Sequence, residues 1–318
     1  MVICSIPAIR RLAKRVIESR LAGRKSTTMP LLTISNHGFF AEQLLSQVQA
    51  ATVMGVTSRG VFLHLASTWV LFLSSEVYRG PLTLNFTGNS ERWRQLKVGA
   101  PVRITSDSIH FPQAELVISM QPSARWEAPP RPQAFLSPPE RRLRLEQVSL
   151  QFLEGHETNS FGALLEVLVT PQEKQKVHKD IVLPAVRNLL DSLRDGDISV
   201  VTEAVDAVLG RGVGLTPSGD DLVLGCLLSL NRWGDVLAPR LQVEVLNQAI
   251  LPRAYRKTTT LSANLIECAS QGQANERLIL ALDGILSGNA DAPTCADYLA
   301  GWGHTSGTDA LAGMALAM

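Results

Sequence analysis

The feature that most constrains the fold is a glycine-rich turn that leads directly into an apolar helical pattern, and it occurs twice. Residues 210–221 read GRGVGLTPSGDD and residues 303–309 read GHTSGTD. Glycine permits positive φ angles and close backbone approach, so each copy predicts a loop followed by a helix start. The free backbone N–H groups and the dipole of a helix start favour an anion. Aligning the copies pairs Ser218 with Ser306, Gly219 with Gly307, Asp221 with Asp309 and Gly225 with Gly313.

The first copy also fits an ordinary capped helix, with Thr216 as the hydroxyl cap and Pro217 at the first helical position. Capping does not require Asp220 beside Asp221, because neighbouring carboxylates repel each other. Nor does it explain why the pattern returns after His304. The repeat therefore predicts two helix N-termini that face each other about a local two-fold axis.

Three blocks carry a family resemblance. They are the first glycine-rich turn, the run TTTLS at residues 258–262 and the second turn continued as DALAG. In content and order they resemble the AllH-like family over about residues 55–318. That family contains the third subunit of the oxamate carbamoyltransferase of anaerobic allantoin degradation. The resemblance implies carbamoyl transfer from carbamoyl phosphate to an oxamate-like acid, with other carbamoyltransferase subunits as partners; it assigns no role to individual residues.

Composition excludes several classes of partner. The formal net charge is +1, which gives no electrostatic basis for a nucleic-acid partner. No apolar run approaches the roughly 20 residues of a membrane span, so we predict no membrane partner. The four cysteines are scattered, without a Cys-x-x-Cys pair, which is typical of the reducing cytoplasm and disfavours a zinc site.

The pattern along the chain predicts an α+β protein with an N-terminal β-rich barrel or sandwich domain and a mostly α-helical C-terminal domain. Residues 1–50 are expected to be a helical extension, since residues 9–21 are basic and amphipathic. Residues 51–125 contain short β-rich runs separated by turn residues. The runs lie at residues 61–65, 69–73, 82–86, 102–104 and 116–118 and predict five strands. Residues 126–139 form a Pro-rich linker. Residues 140–318 form the helical domain that carries the glycine-rich motifs. Its expected helices lie at residues 140–154, 177–194, 198–209, 222–230, 241–251, 261–269, 276–286 and 310–318.

The predicted site is the meeting point of three helix starts, near Thr216, Thr258 and His304. Backbone N–H groups and hydroxyls there suit a phosphate or a carboxylate, and Arg211 would add a positive charge. The candidate substrate-binding residues are Arg211, Gly214, Thr216, Ser218, Gly219, Thr259, Thr260, Ser262, Thr305, Ser306 and Gly307.

The candidate catalytic residues are Asp220, Asp221, His304 and Asp309. The aspartates are expected either to receive N–H donors from a urea-like substrate or hold a divalent cation such as Mg²⁺, or to accept N–H groups of the opposite glycine turn as structural residues. Asp220 has no acidic counterpart in the second copy, which favours a functional role. His304 is a candidate to move a proton to or from the substrate. No residue set marks a metal site, and the cofactor requirement stays open.

Three functions follow from these expectations. The first is a subunit of a carbamoyltransferase-like enzyme that acts on oxamate, oxalurate or a related ureido acid. The second is a non-catalytic subunit that binds a small anion or acts as a scaffold for its partners. The third is a metal-assisted amidohydrolase, although the three aspartates and one histidine lack the spacing of known metal motifs.

Overall fold

The protein is described from a computed structural model, which covers residues 31–65, 68–87, 91–121, 123–155, 161–162, 164–165, 191–193 and 195–318. The helix expected at residues 9–21, and most of one expected at residues 177–194, lie outside the described residues.

The N-terminal part is an eight-stranded β-barrel, closed because β1 pairs antiparallel with β5 and parallel with β8. The order around the barrel is β5, β4, β3, β2, β6, β7, β8, β1, and β9 adds a parallel pair at the end of β1. The strands are β1 Leu31–Gly38, β2 Ala50–Val56, β3 Gly60–Leu65, β4 Val70–Ser74, β5 Thr83–Thr87, β6 Pro101–Ile104, β7 Ser108–Phe111, β8 Leu116–Ser119 and β9 Ala124–Trp126. Of the two predicted architectures, the barrel is the one present.

Alternate side chains of these strands fill the barrel. Leu63, Leu65, Ile109 and Ile118 are at most 1% exposed. Every second residue of a strand points to the same face, so a strand with one apolar face can enclose a core while its other face meets a neighbour.

The segment before residue 51 differs from its expected helical character. Residues 31–38 form strand β1, whose side chains Leu32 and Ile34 lie inside the barrel, and only α1, Phe39–Leu45, is helical in the described part of it. Strand β1 is held by pairing with β5 and β8, which are distant in sequence, and this pairing closes the barrel. The residues of β1 themselves carry little sequence signal for it. Strands β2, β7 and β9 were not predicted either; β7 and β9 have only four and three residues.

The C-terminal part is helical, as predicted, and together the two parts confirm the α+β fold class. Its helices include α2 Pro138–Gly155, α3 Ile198–Val208, α4 Ser218–Leu237, α5 Val243–Lys257, α6 Thr260–Ala269, α7 Glu276–Ser287, α8 Ala292–Ala300 and α9 Ser306–Leu316. Helix α8 was not predicted. None of the helices in the described ranges is long and apolar enough to cross a membrane.

The Pro-rich segment at residues 126–139 lies against the helices. The N–H of Ala128 donates to the side chain of Gln273 at 3.0 Å, and the N–H of Leu136 donates to the carbonyl of Leu286 at 2.8 Å. Arg131 pairs with Asp235 and stacks on Trp233, with its guanidinium carbon 5.0 Å from the ring centroid.

Helices α4 and α9 pack together about a local two-fold axis through equivalent glycines. A Cβ on Gly225 would lie 2.0 Å from the carbonyl oxygen of Ala310, and a Cβ on Gly313 would lie 1.9 Å from that of Leu222. Ala310 and Leu222 occupy equivalent positions in the two copies of the repeat. The two glycine contacts are therefore equivalent as well, one on each helix. The two-fold arrangement expected from the repeat is therefore present in the backbone.

The barrel joins the helices through polar contacts, one buried and one partly exposed. Buried Asn264 of α6 accepts from the N–H of Val70 at 2.9 Å and donates to the carbonyl of Thr68 at 3.0 Å. Arg79 donates to Glu276 at the start of α7, with Nε 3.1 Å from Oε2. These contacts place β3 to β5 opposite α6 and α7.

The glycine contact predicts opposite effects for two substitutions in one helix. Gly225→Ala should lower the free energy of unfolding by about 1–3 kcal/mol or more, since the added methyl overlaps a backbone carbonyl. Gly234→Ala, also in α4, should be neutral or stabilising by up to about 1 kcal/mol, because its Cβ would meet only Val243 Cγ2 at 3.4 Å and alanine favours helix. Chemical denaturation of both variants tests this; equal stability would contradict the close packing.

Candidate functional site

Three helix starts converge, as the sequence predicted. The Thr258 hydroxyl, just before α6, donates to Asp220 Oδ2 in the first turn of α4. The Thr259 hydroxyl donates to the carbonyl of Leu215 at 2.6 Å, in the loop that enters α4. The hydroxyl oxygens of Thr216 and Ser306 lie 3.3 Å apart and join that loop to the start of α9. Each pair of helix starts that includes α4 is thus linked directly.

The capping of α4 differs from the expectation. Pro217 is the N-cap residue and Ser218 the first helical residue, so the Thr216 hydroxyl caps no N–H group. Proline at this position has φ −54° and ψ 144°, an extended conformation that turns the chain before the helix begins. Thr216 is left to contact Ser306. In α6, Thr259 is a genuine cap, since its hydroxyl accepts from the N–H of Ser262 at 3.1 Å.

Asp220 is buried and held on both carboxylate oxygens. Its Oδ1 accepts from the N–H of Gly210 at 2.7 Å, and its Oδ2 accepts from Thr258. Burial raises the pKa of this carboxyl above its usual value and outweighs the hydrogen bonds from Thr258, Gly210 and Ser262, which lower the pKa. Asp220 therefore holds the glycine-rich turn and the starts of α4 and α6 together through hydrogen bonds. Its catalytic role stays a prediction.

Asp221 and Asp309 are buried to the same degree, with 1% and 0% of their surfaces exposed, although their hydrogen-bond partners differ. Burial raises the pKa of Asp221 well above its usual range, and the charges of Asp309 and Asp220 raise it further. Hydrogen bonds from the Ser306 and Thr216 hydroxyls lower this pKa. Asp309 Oδ1 accepts from the N–H of Phe161 at 3.0 Å. Equal burial favours a pair of structural carboxylates.

The glycines beside these aspartates allow each helix start to sit on the preceding helix. A Cβ on Gly219 would lie 1.9 Å from the carbonyl oxygen of Val208, at the end of α3. A Cβ on Gly307 would lie 2.1 Å from that of Leu299, near the end of α8. The two junctions therefore share the same close contact between a helix start and the end of the preceding helix, as well as a sequence pattern.

A cleft of about 390 Å³ lies between the barrel and the helices. Its barrel wall comes from β3 to β5 and their loops, and its helical wall comes from α6, the start of α7 and the segment from Gly301 to Ser306. Three of the predicted site residues line it: Thr216, His304 and Ser306. The other predicted residues do not: Arg211, Gly214, Ser218, Gly219, Asp220, Asp221, Thr259, Thr260, Ser262, Thr305, Gly307 and Asp309.

Arg211 and Gly214 lie in the exposed part of the glycine-rich turn. Arg211 donates through Nε to the carbonyl of Ala207, at the end of α3, and its side chain is exposed. Gly214 has φ +100°, a conformation that favours glycine, and a Cβ there would meet nothing within 4 Å. Gly214 therefore serves the path of the loop.

The charged residues of the cleft were not predicted. Glu76 lies 3.7 Å from Arg59 and 3.4 Å from Arg277, measured from Oε1 to the nearer guanidinium nitrogen. Arg59 also donates to the carbonyl of Gly301 at 2.7 Å, and the Arg277 guanidinium stacks on Tyr78, 3.7 Å from the ring centroid. Arg59 and Glu76 come from barrel loops and Arg277 from α7, so no local motif joins them.

Two buried N–H donors of the cleft have no acceptor among the described residues. They are Nε of Arg277 and Nε1 of Trp302, and both side chains line the cleft. Leaving a buried donor without an acceptor costs about 1–3 kcal/mol, so these two N–H groups are candidates to donate to a bound water or ligand.

The arrangement gives no local basis for a metal site. Within the described ranges, no group of three or more histidine, cysteine, aspartate or glutamate side chains is placed to hold a metal ion. Asp220, Asp221 and Asp309 instead meet backbone N–H groups and hydroxyls.

The comparison with protein families covers the chain from the end of α3 onward. Residues 208–318 match the family model described as oxamate carbamoyltransferase subunit AllH. This AllH segment contains all three helix starts, together with Arg277 and Trp302. It confirms the predicted resemblance over residues 208–318, which hold the three motif blocks. The barrel, with Arg59 and Glu76, lies before the matched residues. Searches of curated proteins and of solved structures gave no match.

Burial of Asp221 predicts a pH-dependent stability. The pKa of Asp221 is higher in the folded chain than in the unfolded chain, where it is about 3.9. The stability that comes from protonated Asp221 is therefore fully present below pH about 3.9 and is lost as the pH rises through the pKa of the folded chain. Asp221→Asn should therefore gain stability relative to the wild type as pH rises from 4 to 8.

Urea denaturation across this pH range measures the effect, with the exposed Asp297→Asn of α8 as the matched control. A variant that is less stable than the wild type by the same amount at every pH would show that the Asp221 carboxylate is not destabilised by its burial.

Proposed function

We propose that this chain is a subunit of a carbamoyltransferase that uses carbamoyl phosphate and an oxamate-like or ureido acid, and that the cleft binds the acid. One observation carries the proposal: the AllH segment supplies one wall of a cleft that holds two arginines and a glutamate. Carbamoyltransferase subunits are the partners that the match supports. The three described cysteines are free and buried, which supports a cytoplasmic location.

The charged end of the cleft suits a molecule that joins a carboxylate to an amide. Two guanidiniums near one carboxylate leave a net positive charge, and arginine binds carboxylates through paired N–H donors. Glu76 can only accept hydrogen bonds when ionised, so it suits the amide N–H groups. Oxamate carries one carboxylate and one amide and meets both requirements.

The proposed chemistry requires positioning and charge stabilisation rather than a covalent intermediate. The amide nitrogen of the acid attacks the carbonyl carbon of carbamoyl phosphate. An N–C bond forms, the C–O bond to phosphate breaks, and the nitrogen loses a proton. His304 lines the cleft and is exposed, and it is our candidate to accept that proton. Phosphate leaves and a ureido acid remains. A requirement for Mg²⁺ stays open.

A non-catalytic role is the second candidate, and the aspartates favour it. Asp220, Asp221 and Asp309 are buried around the helix starts, where they accept hydrogen bonds from the protein itself. In that case the chain binds the acid or shapes the assembly while partner subunits carry out the transfer. Among the described residues, nothing comparable supports a metal-assisted amidohydrolase.

Variants of the cleft separate these candidates in the assembly reconstituted with its partner subunits. Arg277→Gln should lower kcat/KM for oxamate about 10- to 100-fold, because one charge-assisted contact is worth about 1–3 kcal/mol. His304→Gln should lower kcat about 10²- to 10⁴-fold if it accepts the proton. Arg103→Gln, an exposed arginine of β6 outside the cleft, is the matched control and should leave turnover unchanged.

Size-exclusion chromatography and thermal denaturation show whether each variant assembles and folds. Full turnover of an intact Arg277→Gln assembly would remove the cleft from the reaction. Normal oxamate binding with full turnover in His304→Gln, together with a binding defect in Arg277→Gln, would assign this chain to binding and the chemistry to a partner.

A further inference from the structure

Arg59, Glu76 and Arg277 form one charged cluster in the cleft, and much of the remaining lining is apolar, although threonine, serine, asparagine and histidine side chains also line it. From this we infer that the preferred acid is larger than oxamate and carries an apolar substituent, such as a planar ring, on its amide nitrogen. The inference rests on the proposed function, because it names the class of acid for the same cleft. It is carried by an aromatic pair, by the opposing aliphatic wall and by the two unpaired donors.

The aromatic pair is Phe62 and Phe72, which stand opposite each other on β3 and β4. Their ring centroids are 4.5 Å apart with an interplanar angle of 26°, and both side chains are only partly buried. They lie on the outer face of the barrel, since their neighbours Val61, Leu63, Leu71 and Leu73 fill its interior. Stacked rings left partly open in a cleft offer a flat apolar surface to a ligand.

The helical wall of the cleft contributes aliphatic side chains beside its polar ones. Leu261 and Leu265 of α6 line the cleft, and Leu215, which is 44% exposed, lies at the loop that enters α4. An apolar slot between aromatic and aliphatic walls cannot solvate a second charged group. It therefore disfavours a phosphate in this part of the cleft and favours a substituent without charge.

The size of the cleft agrees with such an acid. Its volume of about 390 Å³ lies within the range of about 300–1,000 Å³ usual for sites that bind drug-sized ligands. Oxamate would occupy only the charged end. The unpaired N–H donors of Arg277 and Trp302 can then meet the carboxylate or the amide carbonyl. The apolar substituent would extend toward Phe62 and Phe72.

Isothermal titration of the full chain with oxamate and with oxanilate, the same acid with a phenyl group on nitrogen, tests the inference. Oxanilate should bind on the order of tenfold more tightly than oxamate, the increase expected for burial of an apolar group in a fitted pocket. Acetanilide, which lacks the carboxylate, should bind more weakly than both acids. Phe62→Ala should remove the preference for oxanilate, whereas Phe135→Ala, at a residue 54% exposed and outside the cleft, should keep it.

Equal binding of the two acids, or tighter binding of oxamate, would overturn this inference and leave the proposed function intact. Tighter binding of acetanilide would also overturn it, because the carboxylate would then contribute nothing. Failure of both acids to bind, with carbamoyl transfer to oxamate still present in the assembly, would overturn the assignment of the acid to this cleft. Absence of both binding and transfer would overturn the proposed function itself.

Discussion

The close contact between α4 and α9 is the constraint on which the site depends. Gly225 and Gly313 let each helix rest on a carbonyl of the other, which brings the two first turns side by side. Two helix N-termini in contact would repel each other through their dipoles. The carboxyl groups of Asp221 and Asp309 are buried at these helix starts, and Asp220 links the start of α4 to the start of α6 through Thr258.

This arrangement changes the meaning of an acidic cluster beside glycine-rich turns. An anion held at the helix starts would compete with the aspartates already there, whereas the cleft next to them is lined by Arg59 and Arg277. The helices therefore provide a rigid wall with Thr216, His304 and Ser306, and the cationic contribution comes mainly from the barrel loops and the start of α7. Ser306 belongs to both features, because its hydroxyl contacts Thr216 of the helix starts and its side chain lines the cleft.

Sequence reasoning worked where the determinants are local. The repeated Ser-Gly-x-Asp pattern gave the two junctions, and apolar spacing gave most helices and five barrel strands. It failed for β1, which is specified by ring closure with β5 and β8. It also missed Glu76 and Arg277, whose side chains meet across 201 residues of sequence. No residue near either one signals that contact. Thr216 illustrates a smaller failure, since proline at the cap position moved the helix start by one residue.

The central claim is that a small carboxylic acid binds between the barrel and the AllH segment. The most direct test is a ¹H–¹⁵N spectrum of the chain, in which the five tryptophans give separable indole signals. Addition of oxamate should shift the Trp302 indole signal, assigned with Trp302→Phe, and leave those of Trp93 and Trp233 in the two cores unchanged. A spectrum in which saturating oxamate moves other signals but not that of Trp302 would contradict the account.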